Sequence, residues 1–194
     1  MKTVFSLVFC CLALISTSQN IIGWDGNYKL QLSDFQSPAT QIGQTSLYSI
    51  YNGAIIDFAY AMSSGEFMFT KNFNSKVNCC FHREMAYIIA PDSTTAMDLL
   101  SFARFGFDLS ELYARKLRKR IYEEKGAFSD ASFFKPLFEE NQTELNARLS
   151  KASLETDLGR NKLKLTELHR EVLIEIEQLS DFCKECKPPK KKKN

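Results

Sequence analysis

VNCCFHREMAYII, residues 77–89, decides how the rest of the chain is read. Val77, Cys80, Phe81, Glu84, Met85, Ile88 and Ile89 recur at i, i+3, i+4 spacing, one face of a helix with a 3.6-residue period. Pro91 ends the pattern, because proline lacks an amide hydrogen and disfavours helical backbone in the residue before it. On this reading Cys79 and Cys80 open a helix, and its neighbours in the chain are helices too.

Upstream, Leu47, Ile50, Tyr51, Ala54, Phe58, Ala61 and Met62 form another stripe at helical spacing, which predicts a helix over 45–62 with Gly53 inside it and Ser63-Ser64-Gly65 ending it. Downstream, Asp92 or Ser93 caps a helix whose apolar set is Met97, Leu100, Phe102, Ala103 and Phe105. Gly106 interrupts that set. Asp108 with Glu111 then has capping-box spacing, and Phe107 with Leu112 has staple spacing, so a new helix or sharp kink is expected at Asp108, running to about Lys125. The segment 127–138 is short, aromatic and broken by Pro136.

From Glu139 to Cys186 almost every residue favours helix. Leu145, Leu149, Ala152 and Thr156 make one stripe, and Leu158, Leu165, Leu168, Val172, Leu179 and Phe182 make a second, close to a heptad pattern, with Gly159 at the join. A straight helix of that length would span on the order of 70 Å, longer than a compact domain of this size, so it must bend. The expected fold is therefore all-α: a helical bundle with a long C-terminal helix or kinked helical hairpin, tied by two disulfides.

The cysteines follow from the compartment. Lys2, the apolar run Val4–Ile15 and the small residues Ser16 and Ser18 have the order of a secretory signal peptide cut after Ser18. The domain plan is a signal peptide at 1–18, an extended arm at 19–44, a disulfide-stabilised helical domain at 45–187 and a disordered basic tail at 188–194. No later run is long and apolar enough to cross a membrane as a helix. Beyond Ser18 four cysteines remain, Cys79, Cys80, Cys183 and Cys186. An even number in an oxidising compartment predicts two disulfides. Adjacent cysteines pair poorly, which leaves two pairings, both joining the 79–80 segment to the 183–186 segment. Each bridge closes a loop worth up to ~4–5 kcal/mol in the chain-entropy model.

Charge excludes one class of partner. Removing Lys2 leaves 24 basic against 23 acidic residues, and five of the 24 are the tail lysines Lys187 and Lys190–Lys193, so the body is net acidic by four. A mildly acidic body with a basic tag is not a nucleic-acid binder. The tail suits an anionic glycan or membrane surface, with strong salt dependence. Arg115, Lys116, Arg118, Lys119 and Arg120 form the densest basic cluster, where Arg115, Arg118, Lys119 and Tyr122 share a helix face; it reads as an anion-binding surface or, in the secretory pathway, a processing site. Asn141-Gln142-Thr143 is an N-glycosylation sequon.

A Cys-Cys pair shortly ahead of a histidine resembles the catalytic segment of secreted phospholipases. That motif sets two residues before the histidine and an aspartate after it, whereas here Phe81 alone intervenes and Arg83 follows. The glycine-rich calcium loop of those enzymes has no counterpart upstream. His82 is thus read as a bystander to the cysteines. Zinc binding by the four sulfurs is disfavoured against oxidation, and no nucleophile elbow, phosphate loop or dinucleotide turn appears. No catalytic residue, cofactor or metal is assigned. The expected function is a secreted, non-enzymatic helical protein of an extracellular fluid that binds a partner protein through its helical surface. The alternatives are a carrier of a small apolar ligand in a bundle cavity, suggested by sixteen Phe and seven Tyr, and a precursor cut near Arg118 or Arg120.

Overall fold

The computed structural model describes residues 20–58, 63–70, 72–126 and 131–188; the expected signal segment and the lysine tail beyond Pro188 lie outside them. Six strands and four helices follow in order: β1 (Ile21–Gly23), β2 (Gln41–Ile42), β3 (Ser49–Tyr51), β4 (Ala54–Phe58), α1 (Ser64–Phe69), β5 (Val77–His82), β6 (Tyr87–Ala90), α2 (Ser93–Glu124), α3 (Phe134–Thr156) and α4 (Lys162–Gln178). The class is therefore mixed α/β, not all-α.

The correction starts at residues 77–89. Val77, Cys79 and Phe81 are buried while Asn78, Cys80 and His82 are half-exposed, an alternation of period two that only a strand produces. After a tight turn closed by the Met85 and Ala86 amides on the His82 carbonyl, Ile88 and Ala90 continue the buried series. The expected helix over 45–62 is corrected in the same way as far as Phe58; its last part, with Ala61 and Met62, lies outside the described residues. Ala54, Ile56 and Phe58 sit directly across from Phe81, Cys79 and Val77, with Ile55 and Asp57 on the other face.

Two three-stranded sheets result, ordered β1-β5-β4 and β2-β6-β3. The first is antiparallel throughout; in the second β2 runs parallel to β6. The arms β3–β4 and β5–β6 pass together from one sheet to the other. Tyr51 pairs with Tyr87 and Ala54 with Phe81, so the turn after His82 inserts three extra residues in one arm and bends the pair. Residues 20–44 contribute β1, β2 and a 3₁₀ turn at Leu32–Asp34.

α2 runs unbroken for 32 residues, capped by the Asp92 side chain on the Thr95 amide. The break expected at Gly106 and Asp108 is absent. Gly106 instead makes room: a β-carbon there would collide with the Asn52 amide nitrogen, which reaches over the helix to the Ala103 carbonyl (3.1 Å). α2 packs against the strands on one side and against α3 and α4 on the other. That sandwich explains why Leu99, Phe102, Phe105, Leu112 and Leu117, which point in different directions, are all buried.

α3 and α4 form a hairpin. Asp157, Leu158 and Gly159 have φ of 49°, 53° and 98°, and this left-handed turn reverses the chain. Gly159 lies against the Asp98 carbonyl and Phe102, where no side chain fits. Leu165, Val172 and Phe182 of the heptad-like stripe are buried, as is Ile176 beside them, so no coiled-coil seam is left open on that face.

Neither expected bridge between the 79–80 and 183–186 segments forms: one disulfide, not two, joins Cys183 to Cys186, and Cys79 and Cys80 are free. The strand gives the reason. Neighbouring residues of β5 point to opposite faces, so Cys79 is buried beneath α2 with its Sγ 3.8 Å from the Phe107 carbonyl, while Cys80 is on the outer face. One partner segment cannot reach both.

Candidate functional site

The five residues of the basic cluster are divided by the structure. Arg118 is 1 % exposed and every N–H of its guanidinium is used: Nε and Nη2 donate to the Val77 carbonyl (3.1 and 2.8 Å), Nη1 to the Phe182 carbonyl (3.0 Å) and to Glu111 Oε1 (2.8 Å), and Nη2 to Glu111 Oε2 (3.5 Å). Arg115 donates to Glu111 Oε1 (2.9 Å) and to the carbonyls of Ile176 (2.8 Å) and Leu179 (3.4 Å). These carbonyls lie at the end of α4, where a helix runs out of internal donors and carries partial negative charge. The two arginines thus cap the end of the α4 segment. They do not share an exposed face with Lys119, which corrects the anion-surface reading.

Lys116, Lys119 and Arg120 face outward around a cleft between α2, α3 and α4, yet each meets an acid: Glu175 (3.2 Å), Glu123 (3.8 Å), and Glu124 (3.2 Å) with Glu140 (2.6 Å). The cleft has no surplus positive charge to attract an anion. Asn141 lines it from inside α3, 1 % exposed, with a buried Nδ2 that has no hydrogen-bond partner among the described residues. The nitrogen to which a glycan would be joined is therefore inside the folded chain.

The two cysteine segments do meet, but through hydrogen bonds. Asn72 and Asn74 both donate to the Cys186 carbonyl (3.0 Å each), and Asn74 also to that of Asp181 (3.1 Å), which holds the disulfide loop at the entrance to β5. Burial pushes both the Cys79 and the Cys80 thiol up. With Cys79 and Cys80 on opposite faces and the other two oxidised, the four sulfurs do not converge on a metal ion. Native alkylation should modify Cys80 slowly and spare Cys79 until the chain unfolds, and the intact mass should lie two hydrogens below the reduced chain. A four-hydrogen difference would overturn this arrangement.

His82 ends β5, half-exposed, opposite Ile21. His169 is more involved: its Nε2 lies 2.6 Å from Asp108 Oδ2, and the Trp24 Nε1–H donates to Asp108 Oδ1 (2.6 Å). Arg115 stacks over the Trp24 ring at 5.4 Å. Asp108, which has helix-start spacing in the sequence, is a mid-helix clamp that pins the N-terminal segment and α4 onto α2. A carboxylate-oriented imidazole is half of an acid–base device. Among the described residues, no hydroxyl or thiol hydrogen-bonds the other ring nitrogen.

The remaining site is a groove that the sequence reading did not identify. β3 and β4 form one wall and α3, running antiparallel beside them, forms the other, with Phe102 and Ser110 of α2 between. Phe58 packs on Phe134 at one end (4.9 Å between ring centres). At the other, the Tyr48 hydroxyl donates to Asp157 Oδ1 (2.8 Å) and Arg160 lies over the Tyr48 ring (4.8 Å). The groove holds about 560 Å³. Its lining contains no Asp, Glu, Lys or Arg, in a protein one quarter charged. α3 supplies Gln142, Leu145, Asn146, Leu149 and Ser153, while Glu139, Glu144, Arg148, Lys151 and Glu155 do not reach it. This uncharged stripe at i, i+3, i+4, i+7 and i+11 is present in the sequence, but only Leu145 and Leu149 stand out there, as part of the apolar stripe with Ala152 and Thr156.

No family model, no curated protein and no solved structure matches the chain.

Proposed function

We propose that the chain is a secreted, non-enzymatic protein of an extracellular fluid that binds an uncharged partner segment in the groove between β4 and α3. The observation that carries this reading is the complete absence of charge from the lining of a cleft about 560 Å³ in volume, together with two carboxamides, Gln142 and Asn146, that make no hydrogen bond within the described residues. Such a surface penalises charged ligands, because a charge that enters it loses water and gains no counter-charge. It favours apolar groups interspersed with amides, which is the chemistry of a peptide. The order Lys2, apolar run, Ser16 and Ser18 supports export.

Panning a random, end-blocked hexapeptide library against the immobilised protein tests the reading. Uncharged sequences rich in aliphatic residues should be enriched, and Leu149→Glu, at a half-exposed position in the wall, should weaken them at least about tenfold. Enrichment of charged motifs that bind wild type and Leu149→Glu equally would sink it. A second reading, a carrier of a small apolar ligand, draws on Phe102, Leu145, Leu149 and Leu158 in the same groove. It requires a lipid-like molecule in native mass spectra, displaced by Leu149→Glu. Processing near Arg118 has less support, since that residue is buried inside an unbroken helix.

A further inference from the structure

The β4 wall of the groove is a strand edge. In an antiparallel pair, alternate residues turn both main-chain polar groups toward the partner strand, and those between turn theirs away. The His82 amide donates to the Gly53 carbonyl (2.8 Å), one step beyond the Ala54–Phe81 pair. Gly53, Ile55 and Asp57 therefore face β5, and Ala54, Ile56 and Phe58 face outward. β5 follows the same alternation, since the Cys79 carbonyl accepts from the Trp24 amide (3.0 Å) on the β1 side. Of the outward set, Ala54 N–H is taken by Asn52 Oδ1 (3.2 Å). Ile56 keeps a donor and an acceptor without a partner among the described residues, although it is 5 % exposed. Buried main-chain groups are almost always paired. Free strand edges are usually guarded by lysine, proline or a bulge, and Ala54–Phe58 carries neither lysine nor proline.

We infer that an extended, uncharged peptide segment of a partner protein adds to β4 as a fourth strand of the β1-β5-β4 sheet. Ile56 exchanges two main-chain hydrogen bonds with it, Gln142 and Asn146 engage its far edge, and its aliphatic side chains lie against Leu145 and Leu149. This inference rests on the groove being the binding site. The occupant is a peptide because only a backbone offers a donor and an acceptor at the spacing of a strand edge. It is short because the five residues of β4 extend about 17 Å, enough to pair with five or six residues.

The experiment is residue-resolved amide hydrogen exchange on the full chain with a blocked alternating valine–threonine hexapeptide. Exchange at Ile56 should slow by about tenfold or more at saturation, while Ile55 and Asp57, already bonded to β5, should not change. N-methylating the peptide amides of one alternate set should weaken binding by at least about tenfold, and methylating the other set should have little effect. Binding that is lost in Leu149→Glu but leaves Ile56 unprotected, with both methylated sets equivalent, would overturn strand addition and leave the groove reading standing. Binding indifferent to Leu149→Glu would overturn both. Protection of Ile56 that rises with protein concentration in the absence of peptide would make the occupant a second copy and overturn the assignment to a partner.

Discussion

Replacing Glu111 with Gln should cost about 3–5 kcal/mol of stability. Glu111 is 3 % exposed and its two oxygens receive Arg115 and Arg118, both of them buried. Removing its charge leaves two guanidinium groups inside the protein with only carbonyls for company, and an uncompensated buried charge is among the largest single-residue penalties known. With a urea slope of about 2 kcal/mol per M, the midpoint of unfolding should fall by about 2 M. Glu123→Gln is the control. Its partner Lys119 is 3.8 Å away at the surface, and an exposed pair of that kind contributes about 0–1 kcal/mol. Similar losses in the two variants would show that water reaches the Glu111 network and that it does not organise the core.

Phe134→Ala should lose about 3–5 kcal/mol as well, by a different route. Phe134 is 1 % exposed and meets the rings of Phe58, Phe67 and Phe73 at 4.9, 5.1 and 5.3 Å between centres, mostly edge to face. Truncation leaves a ring-sized cavity whose walls come from three separate parts of the chain, so collapse cannot fill it. Lys125 closes the cluster from outside, with its ammonium 4.8 Å from the Phe67 ring centre. Phe134→Leu keeps most of the volume and should lose about 1.5 kcal/mol or less. The same cluster fixes the start of α3 against the end of β4, so Phe134→Ala should also loosen the groove and weaken peptide binding in conditions where the variant remains folded. A loss below about 1 kcal/mol in thermal or urea unfolding would mean that the site relaxes freely and that the aromatic cluster does not set the groove's width.

The helical part of this architecture was readable because long periodic segments leave little ambiguity. Asp92 does cap α2, the heptad-like stripe does pack inward, and the chain does reverse at Gly159. The strands were not readable by period alone, because they are three to six residues long and their apolar residues satisfy both periods at once. In VNCCFH the choice of Val77, Cys80 and Phe81 suggests a helix, whereas Val77, Cys79 and Phe81 describe a strand. Cysteine on either side of that choice hid the alternation. The β-branched residues Ile50, Ile55 and Ile56 pointed the right way. The basic cluster misled for a related reason: guanidinium groups can face inward where a helix end offers carbonyls, and no local pattern announces that acceptors 61 and 64 residues further on will arrive. The groove was legible only as an uncharged stripe on α3, and its second wall depends on the strand that had been missed.

The distance between those arginines and their acceptors bears on how the protein is made. On a ribosome α2 emerges well before Ile176 and Phe182 do. Until they appear, Arg115 and Arg118 lack the carbonyls that complete their shells, and α2 lacks the hairpin that covers its second face. The middle of the chain must therefore wait, partly wetted, for the later segment to be synthesised before it can dehydrate. Completion of the hydrogen-bonded core is in this sense a read-out of chain length: a translation product that stops short of Phe182 carries its own defect, two hydrated arginines holding the interior open.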